Sequence, residues 1–88
     1  MKADHGKVSQ LLKTARGQLD GLLKMVEDDR YCIDISNQLL ATEALLKKTN
    51  KMVLEAHMHS CVVESFASET DIEEKVAEIL KVVDKLIR

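Results

Sequence analysis

Apolar residues recur along most of this chain at three- and four-residue steps. Val8, Leu11, Leu12, Ala15, Leu19, Leu22, Leu23 and Val26 keep that rhythm, which puts them on one face of a helix running roughly from Asp4 to Glu27. Gly17 sits inside the run at a cost of about 1 kcal/mol relative to alanine, and the helix is expected to pass through it. Asp28 and Asp29 read as a break and as an N-cap for the next helix. That second helix is expected from about Arg30 to about Phe66, with no proline or glycine inside it. Its apolar positions are Ile33, Ile35, Leu39, Leu40, Leu45, Leu46, Met52, Val53, Leu54, Met58, Val62 and Val63. At 1.5 Å per residue it would extend roughly 55 Å, more than so small a protomer can cover, so its apolar surface is expected to meet another chain. Thr70 with Glu73 fits a capping box. A third helix follows, with Ile72, Val76, Ile79, Leu80, Val83 and Leu86 on one face and an end near Ile87.

Composition supports this all-α reading. The 88 residues hold no proline, three glycines and 2% aromatics, a mixture that favours helices packed on helices. Residues 1–88 are read as one domain, short enough that oligomerisation is expected. There is no apolar run of spanning length, and "MKADHGKVSQ" lacks the apolar core of a signal peptide. The expected location is therefore the cytoplasm, with no membrane partner, where the two cysteines would stay reduced. The net charge of −2 is uneven: residues 1–60 carry nine Lys/Arg against eight Asp/Glu, and residues 61–88 carry four against seven. That balance neither demands nor excludes an anionic partner for the first two-thirds of the chain.

The candidate chemistry lies in "HMHSC", residues 57–61. On a helix, His57 and Cys61 are one turn apart on the same face, about 40° from each other, whereas His59 points away from both. Two ligands are half a site, because soft metals are usually held by three or four N or S donors. The other cysteine is Cys32, roughly 37 Å back along a continuous helix and out of reach in its own chain. Two copies of the second helix packed antiparallel about a twofold axis bring it within reach. Facing residues then sum to about 91, the dyad falls near Leu45 and Leu46, and two identical Cys32/His57/Cys61 sites form. Taken singly, each cysteine also reads as a small buried hydrophobe, and His59 and His5 as ordinary surface or packing residues. Two thiolates and an imidazole suit Cu(I), and Zn(II) can use the set with a fourth ligand. Two cysteines across an interface also allow disulfide or polysulfide chemistry.

The segment "RGQLDGLLKMVEDDRYCIDISNQLLATEALLKKTN" followed by "HMHSC" resembles the CsoR/RcnR family of bacterial metal-sensing repressors. The resemblance covers nearly the whole chain, and its most specific elements are "RYCIDI", the "GQ" dipeptide and the C-x24-H-x3-C spacing. It implies a three-helix protomer with one long central helix. The protomer would form an antiparallel dimer with a four-helix-bundle-like core, assembled further as a dimer of dimers. It also implies that operator DNA is bound in the apo state and released when an inducer binds. The pattern Cys32, His57, Cys61 is that of the Cu(I) sensors. Nickel and cobalt sensors typically have a further histidine in the last position, formaldehyde sensors lack the last cysteine, and persulfide sensors lack the histidine.

The same resemblance implies residues that support His57: Tyr31 before the first cysteine, and a glutamate on the third helix, Glu78 by the match to "VAEIL" with Glu74 as the fallback. Held by such a partner, the ring would link metal binding on the second helix to the position of the third. For DNA the resemblance implies a basic face on the first two helices rather than a helix-turn-helix. Its candidates are Lys13, Arg16, Lys47, Lys48 and Lys51, with Lys7 in addition, making salt-dependent phosphate contacts. Leu11, Thr14 and Glu43 stand where relatives are commonly basic, and a solvated helix face is the competing reading of the lysines. Three functions are therefore weighed: a Cu(I)-responsive repressor of copper-resistance genes, a persulfide or thiol sensor using Cys32 and Cys61, and a metal-binding bundle that does not touch DNA. An enzyme is not expected, since the chain has no Gly-rich phosphate loop and no oriented nucleophile–base pair.

Overall fold

The computed structural model describes residues 1–65 and 70–87, and their side chains except at 62–65, 70–73, 75, 86 and 87. Three helices follow in order: α1 (His5–Glu27), α2 (Cys32–Ser65) and α3 (Thr70–Ile87). Among the described residues the regular structure is all α-helix, as the periodicity predicts. Gly17 lies within an unbroken α1. The expected end of α2 at Phe66 and the side chains of the proposed Thr70/Glu73 capping box lie outside the described residues. Contacts divide the chain into two compact units, Asp4–Asn50 and Met1–Ala3 with Lys51–Arg88.

α1 starts where a carboxylate can cap it. Asp4 is extended, and its side chain accepts a hydrogen bond from the Lys7 N–H at 3.1 Å, satisfying one of the orphan donors of the first turn. The helix ends in a hydrogen-bonded reversal. The Asp29 N–H donates to the Val26 carbonyl at 3.1 Å and the Arg30 N–H to the Met25 carbonyl at 2.9 Å. Asp29 adopts a left-handed conformation with φ of 51°. These are the two bonds of a Schellman motif, with aspartate where glycine usually stands. The expectation that Asp28 and Asp29 cap the second helix is corrected here. Asp28 is the C-cap of α1, Asp29 makes the turn, and the first α2-type bond runs from the Ile35 N–H to the Tyr31 carbonyl at 3.2 Å. The local pull of the short acidic side chains is spent on closing α1 instead of opening α2.

Within the unit Asp4–Asn50, α1 turns Val8, Ala15 and Leu22 inward, with Leu11, Gln18 and Met25 half-buried. α2 answers with Ile35, Gln38, Thr42, Leu45 and Thr49. The contact stripe of α2 is thus partly polar, and Thr42 is only 3% exposed. Its hydroxyl lies 2.8 Å from Gln18 Oε1 and 3.1 Å from the Gln38 carbonyl. One hydroxyl proton serves one acceptor, so with the Gln18 amide turned over, Thr42 donates to Gln38 and accepts from Gln18. Thr49, also buried, donates to the Leu45 carbonyl at 2.8 Å.

The remaining apolar residues of the two patterns stay at the surface. Leu12, Leu19, Leu23 and Val26 on α1 and Ile33, Leu39, Leu40 and Leu46 on α2 are exposed, Leu23 at 63%. Leu19, Leu22, Leu23, Val26, Ile35 and Leu39 line an open apolar groove of about 370 Å³. In the other unit, Met52, Val53, Leu54, Ala56 and Met58 of α2 and Ile79 and Val82 of α3 are half-buried, and Ala3 is buried. Val76, Leu80 and Val83 of α3, which belong to the predicted apolar face, are exposed. No helix among the described residues is long and apolar enough to cross a membrane.

Asp29→Gly is expected to raise stability by up to about 1 kcal/mol, because glycine takes a positive φ without strain. Asp4→Ala should lower it by about 1 kcal/mol through loss of the cap. Urea unfolding followed by circular dichroism reads both changes.

Candidate metal centre

The second half of α2 carries His57 and Cys61 four residues apart, so the helix stacks them one turn above the other. Cys61 Sγ lies 3.4 Å from His57 Nε2. α3 supplies the third group: Glu78 Oε1 lies 2.9 Å from the same Nε2. Among the described residues these three converge with ligand atoms all within 4.8 Å of one another. Cys61 is 5% exposed, whereas the side chains of His57 and Glu78 are 44% and 46% exposed.

The contacts constrain the protonation of the ring. A carboxylate oxygen 2.9 Å from Nε2 is an acceptor, so Nε2 carries the proton and donates it to Glu78. In the neutral ring this leaves Nδ1 with a lone pair. The Cys61 thiol beside Nε2 then has no vacant nitrogen lone pair to donate to, so the trio is not a nucleophile–base–orienter arrangement, in which the carboxylate would hold the opposite nitrogen. What remains is a donor set of sulfur, nitrogen and oxygen, and a ligand histidine tied to a carboxylate is a usual feature of metal sites.

Of the residues singled out from sequence, the structure brings together His57, Cys61 and Glu78. Glu74 is exposed and outside the cluster, as is His59. Cys32 opens α2 and is exposed. Tyr31, 65% exposed, immediately precedes it, and both belong to the unit Asp4–Asn50. Lys13, Arg16, Lys47, Lys48 and Lys51 are all exposed. Lys47 pairs with Glu43 at 3.1 Å and Lys51 with Glu55 at 3.8 Å, each four residues apart on α2. Such exposed pairs contribute only about 0.3–0.5 kcal/mol. Their i,i+4 spacing is readable in the sequence. The Gln18–Thr42 contact is not, because no helical periodicity marks a polar pair across two helices.

The sequence profile of a family described as "Metal-sensitive transcriptional repressor" matches residues 4–85. The copper-sensing transcriptional repressor CsoR of Bacillus subtilis (strain 168) is 38% identical over 82 residues, 93% of this chain and 80% of that protein. CsoR of Mycobacterium ulcerans (strain Agy99) is 46% identical over 50 residues, 57% of this chain and 43% of that protein. The match therefore spans less than half of the mycobacterial relative.

Among solved structures, the copper-sensing repressor CsoR with Cu(I) from Geobacillus thermodenitrificans NG80-2 superposes with a TM-score of 0.82 at 35% identity, over 94% of this chain and 85% of that one. The nickel-responsive transcriptional regulator InrS superposes with a TM-score of 0.83 at 26% identity, over 98% and 96%. A three-helix chain with no strand among its described residues, matched by these structures and by the profile of a family of regulators rather than enzymes, belongs to the metal-sensitive transcriptional repressor family, in its CsoR branch.

Proposed function

We propose that this protein is a cytoplasmic Cu(I)-responsive repressor that binds operator DNA in the apo state, releases it when Cu(I) binds, and so controls copper-resistance genes. The observation that carries this reading is the placement of His57 and Cys61 on one face of α2 with Glu78 on the His57 ring. Cys32 of one protomer would complete the site with His57 and Cys61 of another, in an antiparallel homodimer or a homotetramer. Cu(I) prefers soft thiolate and imidazole donors at low coordination number, which this set supplies.

In the apo protomer, Glu78 holds the ring proton on Nε2, which leaves Nδ1 as the nitrogen with a lone pair to offer. Tyr31 is proposed as a further partner of the ring. Because Glu78 sits on α3 and both ligands of this chain sit on α2, fixing the ring for the cation also fixes α3. The cation then favours one of two arrangements of the helices, and that difference is what an inducer requires. Exposed apolar residues along α1 and α2, several of them lining one open groove, support a homo-oligomer, since contiguous apolar surface of this kind marks association sites. Lys13, Arg16, Lys47, Lys48 and Lys51 would contact phosphates, with Lys47, Lys48 and Lys51 near the proposed dyad and so doubled in the dimer.

A Cu(I) titration followed by X-ray absorption is expected to give two sulfur donors and one nitrogen in the wild type. Cys32→Ala should drop the set to one sulfur and weaken Cu(I) binding by well over tenfold; unchanged coordination in that variant would sink the shared site. His57→Ala and Glu78→Gln should leave apo DNA binding intact while uncoupling Cu(I) from release. A thiol sensor would instead tolerate His57→Ala and respond to sulfane sulfur. Operator affinity should fall linearly with the logarithm of salt concentration. Replacing one phosphate-binding lysine per protomer should flatten that slope by about 0.9 for each phosphate no longer neutralised. No operator binding at low salt would leave a metal-binding bundle without a repressor's role.

A further inference from the structure

We propose that each protomer also holds a harder, self-contained metal site, in which a divalent cation of the Zn(II) or Co(II) class is ligated by Cys61 Sγ, His57 Nε2 and Glu78 Oε1, without Cys32. The inference rests on the reading of His57 and Cys61 as metal ligands, and it adds a different third ligand and a different class of ion.

The geometry points to it because both close contacts of His57 fall on one nitrogen. Sγ and Oε1 stand 3.4 Å and 2.9 Å from Nε2, and the three ligand atoms lie within 4.8 Å of one another. A tetrahedral zinc with ordinary bond lengths needs its nitrogen about 3.6 Å from sulfur and about 3.4 Å from oxygen. Binding the cation therefore asks the Sγ and Oε1 contacts with Nε2 to widen by roughly 0.2 Å and 0.5 Å, with the Glu78 carboxylate swinging off the N–H axis to meet the ion. The charge also closes: a thiolate and a carboxylate together offset a divalent ion, with the imidazole neutral. The solvent-accessible edges of His57 and Glu78 give the ion a way in and leave room for water as a fourth ligand.

Donor hardness separates the two classes of cation. Carboxylate oxygen suits zinc-like ions, which take sulfur, nitrogen and oxygen together, and is a poor partner for Cu(I), which selects thiolates. The two cations ask opposite things of Glu78. With Cu(I) in the proposed thiolate–imidazole–thiolate set, Glu78 remains the acceptor of the ring proton. With a divalent ion on Nε2 that proton leaves to solvent, and the carboxylate becomes a ligand. The thiol of Cys61 would likewise bind as the thiolate, its proton leaving to solvent. Cys32 of a second chain has no part in this set.

Co(II) serves as the probe, added anaerobically under reducing conditions to the apo wild type, Cys32→Ala, Glu78→Gln and His57→Ala, and read by thiolate-to-metal charge transfer and ligand-field absorption. The expected result is one-thiolate charge transfer in the wild type. Cys32→Ala should match it in spectrum and, within about twofold, in affinity. Glu78→Gln should bind at least about tenfold more weakly, and His57→Ala should lose the four-coordinate spectrum. Two-thiolate absorption in the wild type, loss of Co(II) in Cys32→Ala, or unchanged affinity in Glu78→Gln would overturn the proposal. Circular dichroism verifies that each variant is helical, and Cys32→Ala, which leaves all three proposed ligands in place, decides the matter if Glu78→Gln does not fold. Cu(I) titration of the same proteins keeps the two readings apart. Cu(I) binding indifferent to Cys32→Ala removes the shared copper site while the Co(II) result stands, and sensitivity of both ions to Cys32→Ala removes the self-contained site while the copper site stands.

Discussion

A single imidazole nitrogen ties α2 to α3 where the candidate chemistry lies. His57 Nε2 is 2.9 Å from a carboxylate on α3 and 3.4 Å from a thiol one turn along its own helix. A hydrogen bond to an ionised carboxylate is worth more than a neutral one, on the order of 1.5–3 kcal/mol before discounting for solvent. Both partners here are partly exposed, so the net value sits below that range, which under the proposed mechanism would bias an arrangement of the helices without locking it. That suits a sensor. An interaction worth many kcal/mol would hold α3 whatever else bound, and one worth nothing would transmit nothing.

The α1–α2 unit leaves much of its apolar pattern at the surface. The stripe by which α2 meets α1 contains Thr42 and Thr49, buried and hydrogen-bonded, while Leu39, Leu40 and Leu46 remain outside. Placing hydroxyls in the contact and leucines at the surface is a poor arrangement for a monomer, since the apolar area offered to water is the area that would stabilise most when buried. It fits the proposed homo-oligomer, in which another copy would cover that area. On α2 itself, Lys47 pairs with Glu43 and Lys51 with Glu55, and these exposed pairs are weak, ordering the side chains only a little.

Much of the fold is legible in the sequence because helices report themselves locally. Period-3.6 apolar spacing places α1 within a residue of its observed start, and Gly17 can be passed over because one glycine costs less than the packing of the helix around it supplies. The α1–α2 turn departs from expectation because aspartate has two uses at a helix end. It caps an N-terminus by accepting from the backbone, and it tolerates the left-handed conformation that closes a C-terminus. Which use prevails depends on where the next helix can start, and Asp29 takes the second.

The candidate site divides along the same line. The residue types and the four-residue step are enough to pair His57 with Cys61 and set His59 aside, because the pitch of a helix is fixed by its backbone. The same pitch marks Cys32 as out of reach of that pair in its own chain. What the sequence could not decide was which atom meets which. Glu74 and Glu78 are one turn apart on α3, and only the packing of α3 on α2 brings the second to the ring and sets the first in solvent. The structure also decided that the carboxylate and the thiol address the same nitrogen. No spacing encodes that, because it follows from how two helices cross and from the rotamer this leaves to His57.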